Sequence, residues 1–235
     1  MAIKPILFNT EMVRAILDGM KTQTRRIIKG IDNTLNVHHV EPAEYAYETL
    51  GEWDFFYDVF DEPGTFNWVK TIKAPCSVGD VLWVRETWST HYDGIHDDLQ
   101  FCYKADGIDL KSECLPGENN RWYPSIHMPK EAARIFLKVN NVRVERLQDI
   151  TPEEVEAEGT DMDAWYEHDE WQHQVGDGFV ADEIMVVFET LCGFFGHRVW
   201  DNTMQSLEQY EKYGWDANPW VWVIEFERTE KPERW

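Results

Sequence analysis

Gly19-Met20-Lys21-Thr22-Gln23-Thr24-Arg25-Arg26 is the stretch whose reading decides the fold. It gathers three cations and two hydroxyls, and no acid occurs from Gly19 to Ile31 although the 235-residue chain has a formal charge of -22. A helix C-terminus running into a solvated strand would also collect cations, because they complement the negative end of the helix dipole. A bound anionic or electron-rich group is the other explanation, and the two are kept side by side. Upstream, Val13, Ile16, Leu17 and Met20 fall at i, i+3, i+4 and i+7 with Glu11, Arg14 and Asp18 off that stripe, which predicts an amphipathic helix. Asn9 or Thr10 caps its start, and Gly19 suits the left-handed position that ends it. From Thr22 to Ile28 the residues favour extended chain. Alternation then puts Thr22, Thr24 and Arg26 on one face and Lys21, Gln23 and Arg25 on the other, unless the turn rotates Lys21.

Working outward, residues 2–8 read as a short strand that Pro5 assigns to a sheet edge. Residues 30–75 show no sustained helical period and carry His38, His39 and the run Trp53-Asp54-Phe55-Phe56-Tyr57, aromatics that stack a base or cover a core. Val81 to Trp88 reads as a strand covered on both faces at its start and polar from Arg85 and Glu86. Leu99 to Lys104 alternates, with Leu99, Phe101 and Tyr103 on one side. Arg121 to Pro129 is a proline-bounded loop mixing Arg121, aromatics and His127. Arg134–Val139 and Val142–Leu147 are expected to be two strands joined by a hairpin at Asn140-Asn141. Next comes the best-specified helix start in the chain, with Thr151 as cap, Pro152 at the first position, Glu154 completing a capping box, and Ile150 with Val155 as a staple. Gly159 ends this helix, where Glu154 and Glu158 share a face. Capping explains Glu154; Glu158 has no comparable local role. A helix from about Asp182 places Ile184, Val187, Phe188 and Leu191 at core spacing, and Pro219 to Phe226 reads as a final strand.

The helix followed by Gly19-x-Lys21-x-x-x-x-Arg26 resembles the signature of the ASCH domain family, whose members have a PUA-like β-barrel and are linked to RNA. The local match looks especially like the small bacterial ASCH enzymes that hydrolyse N4-acetylcytidine. The strand Gly79-Asp80-Val81-Leu82-Trp83-Val84, the segment Leu147 to Gly159 and the last strand are similar to further parts of the pattern, and the length is reminiscent of ASCH proteins carried by bacteriophages. About half of the chain is covered. The resemblance implies an α+β fold, a PUA-like mixed β-barrel with surrounding helices, as one domain over residues 1–235 with insertions at about 30–75, 89–130 and 160–215. It also implies catalysis by Thr24 as nucleophile, Lys21 as its base and Glu158 as proton donor to the leaving amine. Residues expected to contact substrate are Thr22, Arg25, Arg26, Glu86, Trp88 and His127.

Composition bounds these expectations. An apolar fraction of 43% with 14% aromatics describes a globular chain. No apolar run reaches a membrane-spanning length and the N-terminus lacks a leader pattern, so the expectation is a cytoplasmic protein without a membrane partner. Four cysteines form no Cys-x-x-Cys pair, and the group His168, Asp169, Glu170 and His173 lacks the helical i, i+4 spacing of a zinc site, so neither metal nor cofactor is expected. From Glu145 to Glu183 fourteen acids face Arg146 alone, a net -13. Such a segment repels a phosphate backbone, so the expected partner is a modified nucleoside or a single exposed nucleotide, not an extended duplex. No Gly-x-Ser-x-Gly elbow and no Gly-x-x-x-x-Gly-Lys-Ser/Thr loop occurs, which disfavours a Ser-His-Asp enzyme and a P-loop NTPase. Beside the amidohydrolase stand a non-catalytic RNA- or nucleotide-binding module and an acidic phage protein that binds a host partner.

Overall fold

A computed structural model describes residues 1–31, 37–43, 52–58, 66–93, 98–110, 121–167 and 191–233. The strands are β1 (Ile3–Leu7), β2 (Gln23–Ile27), β3 (Val37–Pro42), β4 (Glu52–Asp58), β5 (Phe66–Lys73), β6 (Val81–Arg85), β7 (Trp88–Asp93), β8 (Asp98–Tyr103), β9 (Phe136–Arg146) and β10 (Trp220–Thr229). Three helices matter here: α1 (Thr10–Leu17), α2 (Pro152–Ala157) and α3 (Leu207–Tyr213). The class is mixed α+β. The main sheet has the order β1-β6-β9-β10-β2, with β3-β4-β5 and β7-β8 as separate antiparallel sheets. That order has two ends, so among the described residues the sheet is open and no closed barrel forms. No helix is long and apolar enough to cross a membrane among these residues.

The chain divides into two compact units. Unit 1 comprises residues 1–22, 79–140 and 226–235; unit 2 comprises 23–78 and 141–225. In unit 1, β1 pairs in parallel with β6 from Ile3↔Val81 to Leu7↔Arg85, and β1 is a sheet edge, where Pro5 costs no ladder bond. Helix α1 is capped by the Asn9 side chain, which accepts from the Met12 N–H at 2.8 Å. Its buried residues are Val13, Ala15 and Ile16, while Met20 is 57% exposed, so the expected stripe stops one turn early. The reason is Gly19: at φ 79° it turns the chain, and the N–H groups of Met20 and Lys21 both reach back to the Ala15 carbonyl. On β8 Cys102 is buried and Phe101 is 38% exposed, so the side that alternation gives to Phe101 is the less covered one.

Unit 2 builds its core from Leu147, Ile150, Val155, Trp165, Leu191, Cys192, Phe195, Trp200, Val221 and Val223. Half of these lie in the 160–215 segment, which is therefore part of the core rather than an appendage. The 30–75 segment supplies the three-stranded sheet, and Trp53 and Phe55 of β4 meet Trp222 and Trp220 of β10 edge-on at 6.2 and 6.1 Å. The thirteen Lys and Arg of unit 1 face fifteen acids, a net -2, whereas unit 2 has nine against twenty-nine, a net -20.

The hairpin expected at Asn140-Asn141 does not form. β9 runs unbroken from Phe136 to Arg146, and the only described non-glycine residue with positive φ is Asn218. A two-residue hairpin needs left-handed residues at its centre, and here the ladders on either side of the dipeptide hold it extended. The capping box at α2 is as expected: Thr151 accepts from Glu154 N–H at 3.4 Å, and the Glu154 carboxylate accepts from Thr151 N–H at 3.0 Å. Thr151→Ala is expected to cost about 1 kcal/mol of stability, to be read by denaturant unfolding at constant m-value; a change near zero would mean that tertiary contacts alone hold this helix. The helix expected from Asp182, up to residue 190, and the His168–His173 group lie outside the described residues.

Candidate functional site

Lys21 belongs to unit 1. Its side chain is 2% exposed, and its ammonium lies 5.7 Å from the centre of the Phe8 ring, with Phe8 packed against Phe226. Thr22 is exposed, and its carbonyl accepts from the Phe226 N–H at 2.8 Å.

The remainder of the motif lies in unit 2 on β2, which pairs antiparallel with β10 from Gln23↔Glu225 to Ile27↔Val221 without a shift of register. Cross-strand partners share a face. Gln23, Arg25 and Ile27 therefore share a face with Glu225, Val223 and Val221, the face on which α2 packs. The Gln23 amide donates to the Glu154 carbonyl at 2.9 Å. Thr24, 2% exposed, and Arg26 take the opposite face, beside Ile224 and Trp222.

Arg25 is the centre of the α2 face. Its side chain has no exposed surface, and it donates to Glu158 at 3.2 Å, Glu154 at 2.8 Å and Glu145 at 3.3 Å. Arg143 joins the same group through Glu145, Glu154 and Glu225. Burial alone would lower the Arg143 pKa, but its bond to Glu145 and the charges of Glu145, Glu154 and Glu225 raise it instead. Glu154 thus does more than cap α2, because its two oxygens also serve two guanidiniums. Of the Arg25 donors, Nε has no partner among the described residues.

Glu158 closes α2 as its C-terminal cap, placed by the Gly159 turn at φ 73°, and is 7% exposed. One of its oxygens binds Arg25, yet its charge also acts on Arg26, whose pKa burial lowers and Glu158 opposes. Successive residues of a strand point to opposite faces. Arg25 and Arg26 therefore take opposite faces of β2, which is the outermost strand of its sheet. The motif strand and the Leu147–Gly159 segment, 133 residues apart, are brought together through Arg25.

Glu86, Trp88 and His127 lie in unit 1. Glu86 is 1% exposed, and both its oxygens accept from Arg134, at 2.9 and 3.0 Å. Burial pushes its pKa up and Arg134 opposes this; Arg134, also bonded to Asp106, is itself raised by these carboxylates against the effect of its own burial. The Arg134 guanidinium lies 3.9 Å from the Tyr103 ring centre, and burial pushes the Tyr103 phenol up to about 12. Trp88 stacks on Tyr123 at 5.0 Å, Arg121 lies 4.7 Å from the Tyr123 ring, and His127 is exposed in the following turn. In unit 1, then, Glu86 is a buried ion-pair partner and Trp88 a stacked wall.

Arg143, Glu145 and Glu154 were missed as members of a common cluster. Their sequence signal was the alternation Val142-Arg-Val-Glu-Arg146, which places Arg143 and Glu145 on one strand face but names no partner. Among the described residues no group of three His, Cys, Asp or Glu is arranged to hold a metal ion. Comparison of the chain with protein-family models, with curated proteins and with solved structures gives no match in any of the three.

Proposed function

We propose that the chain is an amidohydrolase of the ASCH type, PUA-like in fold, that removes the acyl group from an N4-acylated cytidine-type nucleoside. The observation that supports this reading is the bond from Arg25 to Glu158 at 3.2 Å, which joins the motif strand that bears Thr24 to the Leu147–Gly159 segment. In the proposed reaction neutral Lys21 takes the Thr24 hydroxyl proton as Oγ attacks the acyl carbonyl. The carbonyl carbon to N4 bond breaks as the proton taken by Lys21 passes by way of Glu158 to N4, releasing cytidine, and water then hydrolyses the threonine ester to the free acid and restores the Thr24 hydroxyl. The reading requires Lys21 and Thr24, three residues apart, to reach one carbonyl. The net -20 of the unit that holds Thr24 favours a nucleoside or a single exposed nucleotide over an extended duplex. A cytoplasmic setting belongs to the same proposal.

The test is incubation with a panel of N4-acylated cytidines, read by mass spectrometry. Cytidine and the free acid are the expected products; no product from any member of the panel overturns the reading. A non-catalytic nucleotide-binding module is the second reading, favoured by the engagement of Glu158 with Arg25, which leaves that carboxylate partly neutralised. Tight cytidine binding without turnover would select it.

A further inference from the structure

Alternation along β2 gives Arg25 to the face on which α2 packs, and there its side chain has no exposed surface. A side chain so enclosed meets protein groups and not a substrate. Its guanidinium joins two anchored acids to a third. Nη2 donates to Glu154 Oε2 at 2.8 Å and to Glu145 Oε2 at 3.3 Å, whereas Nη1 donates to Glu158 Oε1 at 3.2 Å. The first two acids are themselves fixed: Glu154 accepts from the Thr151 N–H in the capping box, and both Glu145 and Glu154 bind Arg143. Glu158 is the C-terminal cap of the short helix α2, a position that sets its backbone but not its side-chain torsions.

Resting on the proposed hydrolase reading, we infer that Arg25 is a positioning residue for Glu158: held at one end by Glu154 and Glu145, it fixes the carboxylate through which the proton reaches N4. Its part in the reaction is indirect. A planar guanidinium constrains both the distance and the direction of an acid it binds, which an ammonium in its place would not. Proton delivery depends on that placement, because a displacement of about 1 Å in a reacting group costs about 10²-fold in rate. An ion-pair group that only fastens α2 to the sheet is the competing account. Both roles lose activity on substitution, but only positioning acts through Glu158.

Steady-state kinetics on N4-acetylcytidine with the unaltered chain, Arg25→Lys, Glu158→Gln and the double variant test this, each below its own melting temperature. Arg25→Lys is expected to lower kcat about tenfold or more and to change KM by less than about threefold, because a misplaced proton donor is felt in the transition state and not in substrate binding. In the Glu158→Gln background the same change should lower kcat by less than about threefold further, since the group through which Arg25 acts is already gone. A merely structural arginine would multiply its full loss onto that of Glu158→Gln, and that result overturns the inference. Unchanged kcat in Arg25→Lys also overturns it while leaving the hydrolase reading intact. Should Arg25→Lys not fold, Glu154→Gln takes its place in the same cycle, because glutamine still accepts in the capping box but lacks the charge that anchors Arg25. No loss in that variant, or a loss independent of Glu158, overturns the inference as well. Absence of turnover by the unaltered chain overturns both.

Discussion

Replacing Arg25 by methionine is expected to destabilise the protein by about 3–5 kcal/mol, the cost of removing one partner from a buried ion-pair network. Arg25 has no exposed side-chain surface and faces Glu145, Glu154 and Glu158 at 3.3, 2.8 and 3.2 Å. Without it, three carboxylates stay close together with Arg143 as the remaining cation, bonded to two of them. Glu158 then loses the guanidinium that faces it at 3.2 Å, and its burial at 7% exposure makes the loss expensive. Denaturant unfolding at neutral pH measures the effect. Adding Glu158→Gln to the methionine variant should recover part of the loss, because it removes one of the stranded charges. Arg25→Lys should fall between, since an ammonium retains the charge but not the planar fork that serves three carboxylates. A loss below about 1 kcal/mol would show that the network is solvated, as exposed pairs are.

Thr24→Val and Glu158→Gln are each expected to reduce turnover of N4-acetylcytidine by about 10²-fold or more, the scale of a positioned nucleophile or acid, with KM changed far less. Valine keeps the threonine shape and deletes only the hydroxyl. Glutamine keeps the size of Glu158 and its capacity to accept from Arg25. Lys21→Met should act similarly on turnover, and the melting temperature of that variant separates catalysis from the loss of its contact with Phe8. Full activity in Thr24→Val excludes the hydroxyl as nucleophile and leaves a water activated by Lys21. In a binding module there is no turnover to lose, and Glu158→Gln would leave cytidine affinity equal or improved.

The features legible from the chain were those whose causes lie within a few residues. Asn9 as cap, Gly19 and Gly159 in left-handed turns, and the Thr151-Glu154 box all depend on local backbone groups. The same holds for the alternation along β2, because a strand's period of two is a property of its own backbone. Alternation did not, however, tell which side of β8 is buried; that depends on what covers it, and Cys102 is the covered residue. Asn140-Asn141 failed for a related reason. The dipeptide permits a tight turn, but a strand with ladder partners before and after it is lower in free energy extended.

The sequence by itself determined where the cations of the 19–26 stretch stand along the chain and how their side chains alternate, together with the caps and turns that aim them. Only the tertiary structure decided what each cation meets. Arg25 finds acids 120, 129 and 133 residues away. Charge–charge attraction has no sequence period, so no spacing rule announces such a partner. Glu158 shows the division most clearly. Its position at the end of a short capped helix is local, whereas its contact with Arg25 of β2 exists only because α2 packs against the sheet through Val155, Val221 and Val223.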